Sequence, residues 1–578
     1  MSAFLEKRML VWMGGILCLC YLLPNHYPPW LSFHQELGAA LAFAPLFFWA
    51  CTKTACAPAI AYGVGALAAV PLLQLATGRL LFATDAWMTS LYLLGLSLSI
   101  YAGALCATVS AKIGGEENNI SIAPFWGGLL VAGLCSAGLA LHQWLIPSYQ
   151  GIYIAEIPPK SRPFGNLAQP NQLATLVLLG TVGLLYFWET RRVRALIAGL
   201  SAALLLGTLV MTGSRSVLLA FAWLIPAFLF MRKRCTLRTT PMVVGLAVGY
   251  YFLMMWLWPM LGDLLLLKTQ TSSTLERMTS PGIRSVIWLS MLDAIWREPW
   301  FGYGWGQISS AQLSVALDYP PTYLVIESAH NLFLDLALWN GLPISLALIA
   351  GLTVWFLKQI RRCNTAAGWV ALVGVAIVFN HSMVEYPLNY AYFLLPVGFL
   401  IGWLSATATL RAPVKKKAIG STATRVAAMV TSTVLAILTI TVIVEYLPLE
   451  ADWALMRFQE ARIGNPEPTE PPSAVILTSL QRFLKFSRSE TKAGMSIDEL
   501  EEMRRNSVRF AYAAPMFKYA LALALNHQPE NALTTLKKMC SMQAESVCRA
   551  AKNHWEELGR DKYPALVGIP FPGYSENR

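Results

Sequence analysis

Apolar residues along this chain fall into runs too long for the core helices of a soluble domain. Residues 9–24, 37–51, 57–77, 86–110, 122–147, 171–189, 195–212, 216–231, 241–261, 331–357, 366–384, 391–410 and 424–447 are each almost wholly apolar. About 17–25 such residues cross a bilayer as one helix. The pattern therefore predicts about thirteen spans. After Pro448 the pattern changes. Stretches such as "ADWALMRFQEARIG" and "IDELEEMRRNSVRFAYAAPMFKYALALALNH" place apolar residues at helical spacing between polar ones, which predicts short amphipathic helices. Antiparallel pairs resembling tetratricopeptide units suit this pattern, although no clear internal repeat emerges. The expected architecture is all-α: a polytopic transmembrane helical bundle over 1–447 and a soluble helical domain over 448–578.

Composition agrees. Of 578 residues, 56% are hydrophobic and 13% charged, about half the charge of an average soluble protein. The formal net charge of +12 might suggest nucleic acid, but its placement excludes that reading. "LEKR", "CTK", "ETRRVR", "MRKRCTLR", "KQIRR" and "RAPVKKK" sit mostly at alternate junctions, whereas "NHYPPWLSFHQE" and "EYPLNY" contain neither Lys nor Arg. That alternation follows the positive-inside rule, so the basic residues report topology and contact with anionic lipid. With Lys7 and Arg8 inside, an odd span count puts the C-terminal domain outside. "MSAFLEKRML" resembles the start of a signal peptide, but no small-residue cleavage site precedes Pro24, so an uncleaved first span is expected.

Ten cysteines show no metal-ligand spacing. Cys540 and Cys548, in the polar tail, would suit a disulfide on an extracytoplasmic face. Eight residues of straight helix span about 12 Å, so a bridge requires a turn between them.

The predicted outer junctions hold the candidate chemistry. Residues 148–170 include "PPKSRPFGNLAQPN"; "MTGSRS" at 211–216 is a tight turn bearing Arg215; 262–330 is far longer than an ordinary connection and carries Arg277, Arg284, Arg297 and His330. An arginine near a membrane commonly snorkels to headgroups, but guanidinium groups also match phosphate bidentately. Two of them with one imidazole, all on one inferred face, fit a lipid diphosphate and a proton acceptor. Asp335, five residues beyond His330, is poorly placed to share its helical face and is not assigned as a partner. His381, beside Glu385 and Tyr386, is a secondary candidate, read first as a packing or hydrogen-bonding residue.

"SRPFGNLAQPNQLATLVLLG", "MTGSRSVLLAF", "IRSVIWLSMLDAIWREPWFGYGWGQ", "ESAHNLFLDLALWNGLP" and "FNHSMVEYPLNYAYFLLPVGFLIG" follow one another in this order. The set resembles PglL-type bacterial O-oligosaccharyltransferases, and through residues 200–360 the wider O-antigen ligase and Wzy polymerase superfamily. The resemblance implies a GT-C-like bundle in the bacterial inner membrane, with its active site and C-terminal domain periplasmic. It implies en bloc transfer of a preassembled glycan from undecaprenyl diphosphate to Ser or Thr of a pilin-like or other periplasmic protein. His330 then matches the essential histidine, Arg215 and Arg284 the diphosphate-binding arginines, and Gln169 and Tyr386 further required positions that help to bind the diphosphate-linked glycan. Without clustered carboxylates in the outer loops, neither a metal nor another cofactor is expected. O-antigen ligases and polysaccharide polymerases would use the same site on other acceptors. A lipid-linked glycan transporter could also bind diphosphate, but would be expected to show broken helices or paired halves.

Overall fold

The computed structural model describes residues 2–53, 55–112, 122–147, 151–158, 161–265, 267, 284–409, 421–464 and 469–572. Arg277 lies outside them. Among the described residues the regular structure is helical, without a β-strand, and nine helices are long and apolar enough to cross a membrane. The protein is an integral membrane protein; one helix covers most of each apolar run except 57–77, which two helices, Ala59–Leu67 and Ala69–Ala76, share. Closed helices satisfy every backbone polar group internally, as a hydrocarbon environment demands.

The chain divides into two compact units. The first comprises residues 1–67, 92–281 and 351–436. It contains α1 (Ser2–Leu22), α2 (Phe33–Cys51), α3 (Ala59–Leu67), α6 (Ala123–Leu145), α7 (Pro170–Glu189), α8 (Ala195–Thr212), α9 (Arg215–Arg234), α10 (Pro241–Leu264), α14 (Ala366–Ser382) and α15 (Ala391–Thr409). It also takes most of α5 (Ala83–Lys112). Small residues set the closest helix approaches: a Cβ on Gly402 would lie within 1.8 Å of the Ile100 carbonyl oxygen, and one on Gly103 within 2.0 Å of that of Phe399. Where lipid removes the hydrophobic drive, such close contact is a principal source of helix association.

Three basic junctions of this unit, around residues 189–194, 232–238 and 358–362, meet at one end of the bundle. Glu189 accepts from the Arg238 and Thr239 backbone N–H groups at 2.6 and 3.0 Å, Arg234 donates to the Arg361 carbonyl, and the thiols of Cys235 and Cys363 lie 3.6 Å apart. Because α7 begins at Pro170 and ends at Glu189, residues 161–171 lie at its other end.

The second unit comprises residues 68–91, 282–350 and 437–578. It contains α4 (Ala69–Ala76), α11 (Arg284–Arg297), α12 (Ile308–Val315), the start of α13 (Leu332–Arg362), the end of α16 (Ser421–Glu460), and α17 (Thr478–Arg488), α18 (Ile497–Arg509), α19 (Ala513–Leu525), α20 (Pro529–Met542) and α21 (Glu545–Asp561). The last run was expected to end at 447, but α16 continues through Pro448 to Glu460. Glu445 then receives the backbone N–H groups of Val475, Ile476 and Leu477 at 2.7–3.0 Å. Met516, Leu536, Met539 and Trp555 form the core of the C-terminal helices. A turn between α20 and α21 brings the Cα atoms of Cys540 and Cys548 to 5.2 Å, and the two residues are disulfide-bonded.

Candidate active site

His330 stands outside regular helix. α13 begins only at Leu332, with Asn331 as its cap: the Asn331 side-chain oxygen accepts the Phe333 N–H at 3.0 Å. Such a cap satisfies donors that the first helical turn leaves unpaired. His330 itself adopts φ 53°, a left-handed conformation that non-glycine residues enter at a cost and that concentrates at functional sites. The polar pair His330–Asn331 therefore forms the approach to a span.

Three groups hold this strained residue. The Ser328 hydroxyl accepts the His330 backbone N–H at 2.9 Å and donates to Asp335 Oδ2 at 2.6 Å. Asp335 Oδ1 accepts the Ala329 N–H at 2.7 Å. Trp288, one turn after Arg284 on α11, donates its indole N–H to the Ala329 carbonyl at 2.9 Å. Ser328, Ala329 and Asp335 are buried, whereas His330 is half-buried. Asp335 acts on His330 through the backbone, which helical spacing alone did not anticipate. The structure thus brings Arg284 and His330 to neighbouring segments of one unit.

The scaffold beneath comes from "FGYGWGQ" and "NGLP". Gly341 has φ 75° and interrupts α13. Its absent Cβ would lie 2.3 Å from the Trp300 carbonyl oxygen, and one on Gly302 would lie 2.4 Å from that of Leu338. Only glycine permits this double approach. Two backbone bonds seal it, Tyr303 N–H to Leu338 and Leu342 N–H to Pro299, both 2.7 Å. Trp305 stacks on Trp339 with ring centroids 4.5 Å apart and donates to Asn340 at 2.8 Å.

The C-terminal helices also grip the segment leading to His330. The Tyr512 hydroxyl donates to Glu327 at 2.8 Å, and the Ser541 carbonyl accepts the N–H groups of Thr322 and Tyr323 at 3.0 and 3.2 Å. Buried Asp85 and half-buried Arg509 form an ion pair at 2.9 Å. Arg297 is structural: it joins Asp293 at 2.7 Å, Asp318 at 2.9 Å and the Ser314 carbonyl at 2.6 Å.

In the first unit, Gln169, Arg215 and Tyr386 come to one end of the bundle. Gly213, at φ 55°, closes α8 so that α9 starts at Arg215. Asn380 on α14 donates to the Ser216 carbonyl at 3.0 Å, which fixes this turn against α14. Arg162 donates to the Thr212 carbonyl at 2.6 Å, adding a guanidinium that the sequence reading did not select. Just past α14, buried Glu385 accepts the Asn171 amide at 2.9 Å and the Gln169 amide at 3.4 Å. Tyr386 follows, stacked on Tyr390 with centroids 6.0 Å apart. His381 is buried and hydrogen-bonded to Thr175, as its packing role required. Asn171 escaped sequence reasoning, and Asp335, weighed there and set aside, and Glu385 acquire their partners only through tertiary contacts.

Comparison with known proteins follows the same segments. Residues 163–188 match the family described as protein glycosylation ligase, residues 200–349 the O-antigen ligase family, and residues 369–556 the C-terminal region of virulence factor membrane-bound polymerases. A general O-oligosaccharyltransferase of Acinetobacter baylyi is 28% identical over 549 residues, covering 92% of this chain and 91% of the relative. A ComP-specific O-oligosaccharyltransferase of the same organism is 29% identical over 334 residues, covering 58% and 59% of the two chains. The chain is therefore a glycosyltransferase similar, over most of its length, to bacterial O-oligosaccharyltransferases, with segments that match the O-antigen ligase and protein glycosylation ligase families.

Proposed function

We propose that the protein transfers a preassembled glycan en bloc from undecaprenyl diphosphate to a Ser or Thr hydroxyl of a periplasmic, pilin-like protein, at the outer face of the bacterial inner membrane. The observation that carries this reading is similarity over 92% of the chain to a general O-oligosaccharyltransferase, joined to a histidine held in a strained conformation by a buried Ser328–Asp335 platform. The match of residues 163–188 to the protein glycosylation ligase family favours a protein acceptor over the lipid A–core sugar of an O-antigen ligase or the carrier-linked glycan of a polymerase.

In this reading the acceptor oxygen attacks the anomeric carbon of the first sugar and a new C–O bond forms. The bond from that carbon to the diphosphate oxygen breaks, and its electron pair leaves with the diphosphate. His330 takes the hydroxyl proton. Arg215 and Arg284 carry the charge that grows on the leaving group, as a preorganised electrostatic site does. A diphosphate is already a good leaving group, so neither a strong general acid nor a metal is required. The basic end of the first unit then faces the cytoplasm, and the end bearing Gln169, Arg215 and Tyr386 the periplasm.

Mass spectrometry of periplasmic pilin-like proteins tests the proposal, with the protein present, absent, or carrying His330→Ala. Glycan on Ser or Thr only with the unaltered protein supports it. Modification persisting with His330→Ala refutes the assigned base. If His330→Ala also stops the lipid-linked glycan from crossing the membrane, the transporter reading gains.

A further inference from the structure

The helix that begins at Arg284 is apolar on two faces. On α11, Ile287, Met291, Ala294 and Ile295 are buried. Leu289, Leu292 and Trp296 are exposed, and their spacing of three and four residues puts them on one other side of the helix. The stripe runs on through Trp300 and Phe301, which are 70% and 62% exposed. A helix that is apolar all round needs an apolar environment on both sides, and protein supplies only one. Neither the indole N–H of Trp296 nor that of Trp300 has an acceptor among the described residues. An apolar ring with a free N–H is the side chain enriched where hydrocarbon gives way to headgroups and water.

Two spans fix the level of this stripe. α13 is broken at Gly341. Residues 342–362 beyond the break make about 30 Å of helix at ~1.5 Å per residue, the thickness of the hydrocarbon core. Their far end carries Arg361 and Arg362, so the break lies at the opposite boundary of the membrane. Residues 299–301 sit against it: the Pro299 carbonyl accepts the Leu342 N–H at 2.7 Å, and the Trp300 carbonyl oxygen lies 2.3 Å from where Gly341 would carry a Cβ. The apolar stretch Ala59–Ala76 ends beside the same break, where Gln74 on α4 donates to the Trp339 carbonyl at 2.7 Å. Just past it, the Arg79 guanidinium lies 4.9 Å from the centre of the Phe301 ring and 3.4 Å from Glu298. A cation at the end of a span reaches headgroups in this way. Trp300 and Phe301 thus stand where α13 enters lipid. The charges beside the stripe, Asp293 and Arg297, pair with each other at 2.7 Å.

We propose that Leu289, Leu292, Trp296, Trp300 and Phe301 form a membrane-docking surface, seated between the headgroups and acyl chains of the leaflet opposite Arg361 and Arg362. α11 is then an interfacial helix, with one face on protein and the other in phospholipid. This goes beyond the transferase reading and does not depend on it. Where that reading holds, docking also sets the height of Arg284 over the bilayer that anchors the lipid diphosphate.

The test puts a benzophenone photocrosslinker into the full-length protein, held in nanodiscs of phosphatidylethanolamine and phosphatidylglycerol with a small share of undecaprenyl diphosphate. Mass spectrometry identifies the adducts. Trp296→p-benzoylphenylalanine and Leu289→p-benzoylphenylalanine are expected to give phospholipid adducts at least about fivefold above Ile497→p-benzoylphenylalanine, an exposed position on α18. A second measurement needs no probe. Brominated phospholipids should quench a smaller fraction of the tryptophan fluorescence in the Trp296→Phe, Trp300→Phe double variant than in the unaltered protein. Both side chains are exposed, so these changes leave the fold intact. Adducts mainly to undecaprenyl diphosphate make the stripe a site for the substrate's tail, and adducts to a second copy of the chain make it a protein interface. Yields no higher than at Ile497 make it a face in water, and an unchanged quenched fraction says the same. Each of these results overturns the proposal. A protein that forms the phospholipid adducts but transfers no glycan upholds docking and refutes only the transferase reading.

Discussion

Ser328 sits between Asp335 and His330 as a two-way relay: its hydroxyl donates to Asp335 at 2.6 Å and accepts the His330 backbone N–H at 2.9 Å. A buried carboxyl thus holds the His330 main chain in a left-handed conformation through one hydroxyl.

Asp335→Asn replaces one acceptor oxygen with an amide that opposes a donor, and an unmet buried partner costs about 1–3 kcal/mol. Transfer should fall about tenfold or more. Combined with His330→Ala, the change should add little to the loss caused by His330→Ala alone, because both act on one imidazole. Single-turnover rates of all three variants check this. Additive losses would show that Asp335 acts elsewhere.

Gly341→Ala forces a Cβ to within 2.3 Å of the Trp300 carbonyl oxygen at φ 75°. The change should lower the thermal midpoint by several degrees and cut transfer, since the break in α13 joins the His330 segment to residues 299–303. A fluorescence-detected unfolding curve unchanged from that of the unaltered protein would remove this glycine pair from the scaffold.

Removing Arg509 leaves the buried Asp85 carboxylate uncompensated, at a cost below the about 3–5 kcal/mol of a fully buried pair. Arg509→Leu should therefore destabilise the second unit strongly, and Asp85→Leu added to it should restore much of the loss. A double-mutant cycle from unfolding in detergent measures this coupling. Equal instability of the single and double variants would mean that the pair contributes through packing alone.

Burial holds the Lys518 amine at about 8, below its ordinary 10.5, with its N–H groups on the carbonyls of Phe486 and Ser487. The unfolded chain then binds more protons than the folded one between those values. Stability of the C-terminal helices should rise with pH from about 8 to 10.5, with no slope from this group below 8. Lys518→Met should abolish that slope. Denaturant midpoints at pH 7, 8, 9 and 10 decide the matter.

With guanidinium groups carrying the leaving-group charge, transfer should survive a chelator at full rate, and Arg284→Ala should lower turnover about 100-fold or more, the scale expected for one preorganised donor. Activity lost to chelation and restored by a divalent ion would place a metal in the reaction. A purified Arg284→Ala protein of near-normal rate would free that arginine of its role.

The thirteen apolar runs, the polarity of the basic junctions and the change of character after Pro448 were all legible in the chain, because a bilayer imposes length, apolarity and charge asymmetry residue by residue. His330, Arg215, Arg284, Gln169 and Tyr386 were legible only as members of ordered motifs. Their partners were not. Asp335 reaches His330 through Ser328 and the backbone, so no side-chain periodicity links them, and Glu385 meets Gln169 from 216 positions away. Gly302 and Gly341 are likewise ordinary glycines until carbonyls from each other's segments are packed against them. Local sequence sufficed for what a membrane demands of each segment by itself; which carboxyl orients which amide, and which glycine admits which carbonyl, depends on distances that exist only after distant segments have packed.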